Sequence, residues 1–292
     1  MEAQQETHAI EAPTQEQPDI ETPGEQKKPP RATAWIRAFV TGVVLFILSG
    51  ILLIATQNPN LFPTVVMIGS FLVPVTYVTF FYERRHLSKL SIPTTFISFI
   101  YGGILGVLAA SLLEPLFIHR IDFGSTIEVG LIEEFAKILA VIIIAYRLKE
   151  KTEMNGLILG AAVGMGFAAL ETTGYAFTAF ISSDSLSQTV FVTSIRGILS
   201  PVGHGTWAAI LASILFREAR NGRFRINLTV IGVYLLVSIL HGLWDGLPPV
   251  ITDYIGSGLD VIVGQIIIGG AGLFILWLRW RDARRVQIEP SQ

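Results

Sequence analysis

Cysteine is absent from this chain. Its absence removes disulfides, thiolate metal sites and a cysteine nucleophile together. Charge is scarce too: 15% of the 292 residues are charged, where a soluble domain carries about 25%. HExxH, GxSxG and any GxGD-like aspartate arrangement are missing, and no serine stands in a recognisable nucleophile setting. There is no internal repeat and no separate soluble domain. The net charge of -2 averages a basic inner rim against an acidic tail and offers nothing to a nucleic acid.

What is present is apolar sequence in long runs. Hydrophobic residues make up 51% of the chain, in stretches of about 20, the length a helix needs to cross a bilayer. Barrel strands would alternate apolar and polar over about 10 residues instead. The expected fold class is all-α, a polytopic transmembrane helical bundle of about eight helices. Spans are predicted at 36–55, 63–80, 92–113, 126–146, 155–180, 191–216, 227–246 and 256–278. Residues 1–30, rich in Gln, Glu, Pro and Thr, read as a disordered cytoplasmic tail. They lack the pattern of a cleaved signal peptide, so the first span is expected to stay as an anchor. One transmembrane domain follows at 31–285, with a short tail at 286–292.

Basic residues set the orientation. Lys27, Lys28, Arg31 and Arg37 open the first span, and Arg84, Arg85 and Lys89 join spans two and three. Arg147, Lys149 and Lys151 join spans four and five; Arg217, Arg220, Arg223 and Arg225 join six and seven. Arg279, Arg281, Arg284 and Arg285 follow the last span, and only Arg120 lies in an opposite loop. By the positive-inside rule this is a multi-pass protein of the cell membrane with both termini cytoplasmic.

Against that apolar background a few ionisable groups stand out. Each costs at least ~2.5 kcal/mol at membrane depth. Glu133 and Glu134 adjoin in span four, roughly 10–12 Å below its outer end, with Lys137 one turn deeper and able to pair with either. A neutralised ion pair explains one carboxylate and the lysine but leaves the second carboxylate over. Span five carries Glu171 at similar depth, with Tyr175 one turn above it and able to orient it by a hydrogen bond. Span six carries His204 between Gly203 and Gly205, beyond Pro201, a physical reason to kink, with Trp207 as a wall. Arg196, two turns earlier, either caps an outer vestibule or snorkels toward headgroups, and the second is expected. Span seven carries His241 and Asp245 one turn apart, so the carboxylate could fix the ring's tautomer. The shared depth of Glu133, Glu134, Glu171, His204 and His241 is what makes them informative.

Paired carboxylates with histidines suit water activation. One Glu can hold a proton while its neighbour acts as base, and imidazoles can donate to a developing oxyanion. Zinc stays open, because Glu and His ligands on separate helices need not be close in sequence. A proton- or ion-coupled carrier would also bury such groups, and a non-proteolytic scaffold could retain them.

Four motifs occur in order: Glu133-Glu134-Phe135-Ala136-Lys137, Phe167 through Glu171, His204, and His241 through Asp245. In this they resemble the PrsW family of bacterial and archaeal intramembrane proteases, within the wider CAAX- and bacteriocin-processing group, over about residues 65–250. The resemblance implies a glutamic-type endopeptidase with no cofactor expected. Glu133 or Glu134 would then activate water, and His204 and His241 would assist the base or stabilise the oxyanion. It also implies a membrane-anchored protein or peptide as substrate, cut near the outer face. CAAX relatives usually have His where Glu171 stands and Asn near Asp245, so the departures favour the PrsW branch. Which of Glu133 and Glu134 is the base is left open.

Overall fold

The computed structural model describes residues 33–84, 88, 90–120, 122–255 and 259–288, without side chains at 248–255, 259–262 and 287–288. The expected tail at 1–30 lies outside the described residues, as do Arg85 and Lys89 and residues 289–292 of the C-terminal tail.

Helices carry the whole described fold, and their ends follow local chemistry. The helices α1 (Ala34–Thr56), α2 (Phe62–Glu83) and α3 (Ile92–Phe117) come first. The Glu83 carboxylate, at the end of α2, accepts from the Ala34 backbone N–H at 2.7 Å and so caps α1. Next is α4 (Phe123–Ala145), opened by a capping box in which the Asp122 carboxylate accepts from Ser125 N–H at 2.9 Å. Thr152 caps α5 (Glu153–Ser183), which stops at Asp184 in the left-handed region, φ 47°.

Span six is broken, as Pro201 predicts. It consists of α6 (Leu186–Leu199), a wide π-turn at Pro201–Gly205 and α7 (Thr206–Arg217). Proline lacks an N–H for the helix ladder, and Gly203 takes a non-helical conformation (φ -95°, ψ -107°). Then come α8 (Leu228–Ile255) and α9 (Leu259–Ile288). Among the described residues, seven helical segments are long and apolar enough to cross a membrane, counting Leu186–Arg217 as one. The eighth, α4, is 23 residues long and carries Glu128, Glu133, Glu134 and Lys137. The molecule is a polytopic transmembrane bundle.

At its centre is α5, buried continuously from Met154 to Ala169. Small residues let it be central. A Cβ at Gly156 would stand 2.5 Å from the Ala212 carbonyl oxygen, and Cβ atoms at Gly160 and Gly164 would overlap the carbonyls of Ala208 and His204. This ladder at every fourth residue lies against α7. On another face of α5, Gly166 meets the backbone of Phe99 and Gly103 on α3. Between α4 and α8, Gly130 sits against the Ser238 carbonyl.

The ladder gives a stability prediction. Gly160→Val should destabilise the bundle by about 1–3 kcal/mol, as overpacking does. Gly174→Ala, also on α5 but with open space around it, should leave stability unchanged or slightly raised. Thermal unfolding in detergent, read by loss of near-UV circular dichroism, compares the two.

Candidate active site

Lys137 is the hub of the buried polar cluster. Its Nζ donates to Glu133 Oε2 at 3.1 Å and to Glu134 Oε1 at 2.8 Å. The helix spacing allows both contacts, because Glu133 and Glu134 are four and three residues away. It therefore contacts both carboxylates, while one ammonium neutralises only one of the two negative charges. All three side chains are nearly sealed: 5% exposed for Glu133, 0% for Glu134 and 1% for Lys137. The ammonium also lies 4.1 Å from the centre of the Phe167 ring, a cation–π contact. Because α4 begins at Phe123, Glu133 is ten residues in, about 15 Å from the helix end. That is deeper than expected.

The two histidines reach this cluster from α7's approach and from α8. His204 Nδ1 lies 2.9 Å from Lys137 Nζ. An ammonium only donates, so Nδ1 accepts and the ring proton sits on Nε2. That atom is 3.0 Å from Glu171 Oε2. His241 Nδ1 lies 3.0 Å from Glu134 Oε1, where a carboxylate can only accept, so the proton is on Nδ1. His241 Nε2 lies 3.5 Å from both Glu133 Oε2 and Asp245 Oδ2. Each imidazole thus has an outer carboxylate against one nitrogen, Glu171 for His204 and Glu134 for His241, and turns its other nitrogen toward Glu133. Glu133 is the carboxylate between the two rings, with Oε2 also 3.8 Å from His204 Nδ1. Glu134 stands behind His241.

Several supporting residues differ from expectation. His241 is oriented more closely by Glu134 than by Asp245, whose side chain is 43% exposed. Tyr175 does not hydrogen-bond Glu171 among the contacts of the described residues; its ring stacks under the Arg196 guanidinium, 3.7 Å away. Arg196 does not snorkel: it pairs with Glu171 Oε2 at 2.9 Å, because the turn at Pro201–Gly205 carries α6 back toward α5. Trp207 is the expected wall, fully buried and stacked on His241 with ring centres 4.7 Å apart. A cavity of about 330 Å³ opens beside His204, lined by Arg196, Gly203, Trp244, Asp245 and Gln265. Trp244 and Gln265 carried no sequence signal; their place depends on how α8 and α9 rotate against α7.

Glu133, His204 and His241 also have the form of a metal centre. Each offers one donor atom, and the three atoms lie within 4.8 Å of one another. Zinc bonds of about 2.0–2.2 Å in a tetrahedron require donors roughly 3.3–3.6 Å apart. The 3.5 and 3.8 Å separations from Glu133 Oε2 to the imidazole nitrogens come near that. The outer carboxylates supply what such a site needs: ligating histidines commonly give their other N–H to a carboxylate, which fixes the ring and raises its basicity. The donor chemistry fits a divalent cation.

Comparison with known proteins agrees on the family. Residues 91–275 match the sequence profile of a PrsW family intramembrane metalloprotease. The match begins at the cap of α3 and leaves out α1 and α2. No curated protein and no solved structure matches the chain. The profile spans more than half of the sequence and contains the buried Glu–His–His cluster, so the chain belongs to the PrsW family and is an intramembrane protease acting on a membrane substrate.

Proposed function

We propose that this protein is a metal-dependent endopeptidase that cuts a membrane-anchored protein within the bilayer, with Glu133, His204 and His241 holding the metal. The observation that carries this reading is the convergence of one ligand atom each from Glu133, His204 and His241, all within 4.8 Å of one another, in a buried site. A zinc-type cation there would supply Lewis acidity, making water nucleophilic near neutral pH and polarising the scissile carbonyl. The family description as a metalloprotease supports the same choice over the glutamic-type mechanism.

The chain's own groups do the rest. Glu134 holds His241 Nδ1–H, and Glu171 holds His204 Nε2–H, so neither ring turns away. Arg196 neutralises Glu171, which would otherwise be a buried charge with only a neutral imidazole beside it. Asp245 Oδ2, in the cavity wall beside His241, takes the proton from the attacking water and returns it to the leaving amine. Trp207 and Phe167 close the site from the apolar side. The substrate enters through the Arg196–Asp245–Gln265 cavity. Glu133 is about 15 Å from the end of α4, half of a hydrocarbon core about 30 Å thick, so the cut lies near the middle of the membrane.

A second reading keeps the same residues without a metal. Lys137 already neutralises one charge of the Glu pair, and Glu133 Oε2 would itself take the proton from water. A chelator separates the two. Purified protein in detergent, given a panel of single-span reporter substrates, should lose cleavage with a membrane-permeant chelator and regain it with zinc. Glu133→Gln, His204→Ala and His241→Ala should each fall to background. Cleavage that persists after chelation yet disappears in Glu133→Gln would sink the metal reading in favour of the second. Cleavage unaffected by all three substitutions would remove the site altogether.

The outer carboxylates have their own readout. Glu134→Gln should weaken zinc binding roughly 10- to 100-fold, the usual effect of losing such a partner. Competition against a fluorescent zinc chelator measures it, and an unchanged affinity would show that Glu134 does not orient His241. Arg196→Met should lower kcat roughly 10-fold, since it acts through Glu171 and His204, and raise KM as well, since Arg196 lines the entry cavity.

A further inference from the structure

Lys137 contests the metal's place. Its Nζ lies 3.1 Å from Glu133 Oε2 and 2.9 Å from His204 Nδ1, two of the three donor atoms assigned to the metal. A Glu133 oxygen has lone pairs for both, but His204 Nδ1 has one and cannot give it at once to an ammonium and to a cation bound at about 2.0–2.2 Å. We propose that Lys137 is an internal stand-in for the metal: its ammonium holds the ligands together in the metal-free protein and has to leave His204 before a divalent cation can bind. This rests on the metal-dependent reading above.

Three observations carry it. Without Lys137, Glu133 and Glu134 would be adjacent charges with no cation in a sealed site, which is strongly unfavourable. With it, the donors are gathered before any metal arrives, which lowers the ordering cost of binding. Glu134 Oε1, at 2.8 Å, is the ammonium's nearest partner and is not among the proposed ligands. It can therefore keep Lys137 paired once the metal has taken Glu133 and His204. The cost of that displacement weakens metal affinity, so the protein trades tight binding for a metal-free state that stays folded. Lys137 is thus a positioning residue and a competitor at once.

The two roles predict effects of opposite sign, which a merely structural lysine would not produce. In Lys137→Met the remaining charges of the cluster are the buried Glu133 and Glu134 with the half-buried Glu171 and Arg196 and the more exposed Asp245, an excess of negative charge that a divalent cation balances. The variant should bind zinc roughly tenfold or more tightly than wild type, yet unfold at lower temperature when metal-free, with zinc restoring most of the loss. Lys137→Gln, which keeps a polar group, should behave in the same direction and serves if the methionine variant does not fold. In wild type, the side-chain nitrogen resonance of Lys137 in lysine-labelled protein should shift as zinc is added. Zinc affinity equal to or weaker than wild type in the variants, or a Lys137 signal unmoved by bound zinc, overturns the proposal. Failure of wild type and both variants to bind zinc at all would instead overturn the metal-dependent reading on which it stands.

Discussion

An ammonium group sealed at the middle of an apolar bundle is the constraint around which the rest is arranged. Buried ions cost several kcal/mol each unless they are paired and hydrogen-bonded, and lipid offers no alternative partners. The chain meets this locally and across helices. Lys137 takes Glu133 and Glu134 on its own helix, and Arg196 reaches Glu171 from α6 to α5. The imidazoles then fill the remaining positions, each with its N–H on a carboxylate. Removing one member leaves its partner exposed to the full desolvation cost, so the cluster stands or falls as a network.

Side chains of ordinary length can close this network only if the helix backbones come unusually near. Glycine supplies the approach. Gly164 lies against the carbonyl of His204 itself, and Gly130 against Ser238, three residues before His241. The same contacts that drive helix association in lipid therefore set the reach of Glu133 to both rings. The π-turn at Pro201–Gly205 adds the final rotation: without its extra residue per turn, His204 would follow the regular pitch of α6. Packing and electrostatics are here one device.

How much of this was legible in the sequence follows from which forces are local. Seven spans are legible because hydropathy over about 20 residues is a property of contiguous sequence, and the eighth, charged α4, because the basic loops alternate only if it is counted. Lys137 with the Glu pair was legible because three- and four-residue spacing fixes neighbours on a helix, and the kink at Pro201 because a missing N–H is read directly. Arg196 was misread, since its partner lies on another helix and depends on the rotation set by the π-turn. The orienting partner of His241 was misread for the same reason. Spacing on one helix favours Asp245, but the close contact of Gly130 with α8 brings Glu134 nearer. Depth was too shallow because the capping box at Asp122 starts α4 three residues before the apolar run suggests.

The two chemical readings ask different things of the same rings. A glutamate-only mechanism asks His204 or His241 to donate an N–H toward a developing oxyanion, whereas a metal asks each ring for a lone pair. The nitrogens that face away from the centre are set against carboxylates, Glu171 for His204 and Glu134 for His241. Carboxylates so placed orient metal-ligating histidines, and they equally hold an imidazole for proton transfer. Lys137 supplies positive charge on one side, to Glu133 and His204. His241 Nε2 has the carboxylate oxygens of Glu133 and Asp245 at 3.5 Å, and that side is where a second positive charge is most favoured, as a bound cation in the first reading and as the ring's own proton in the second.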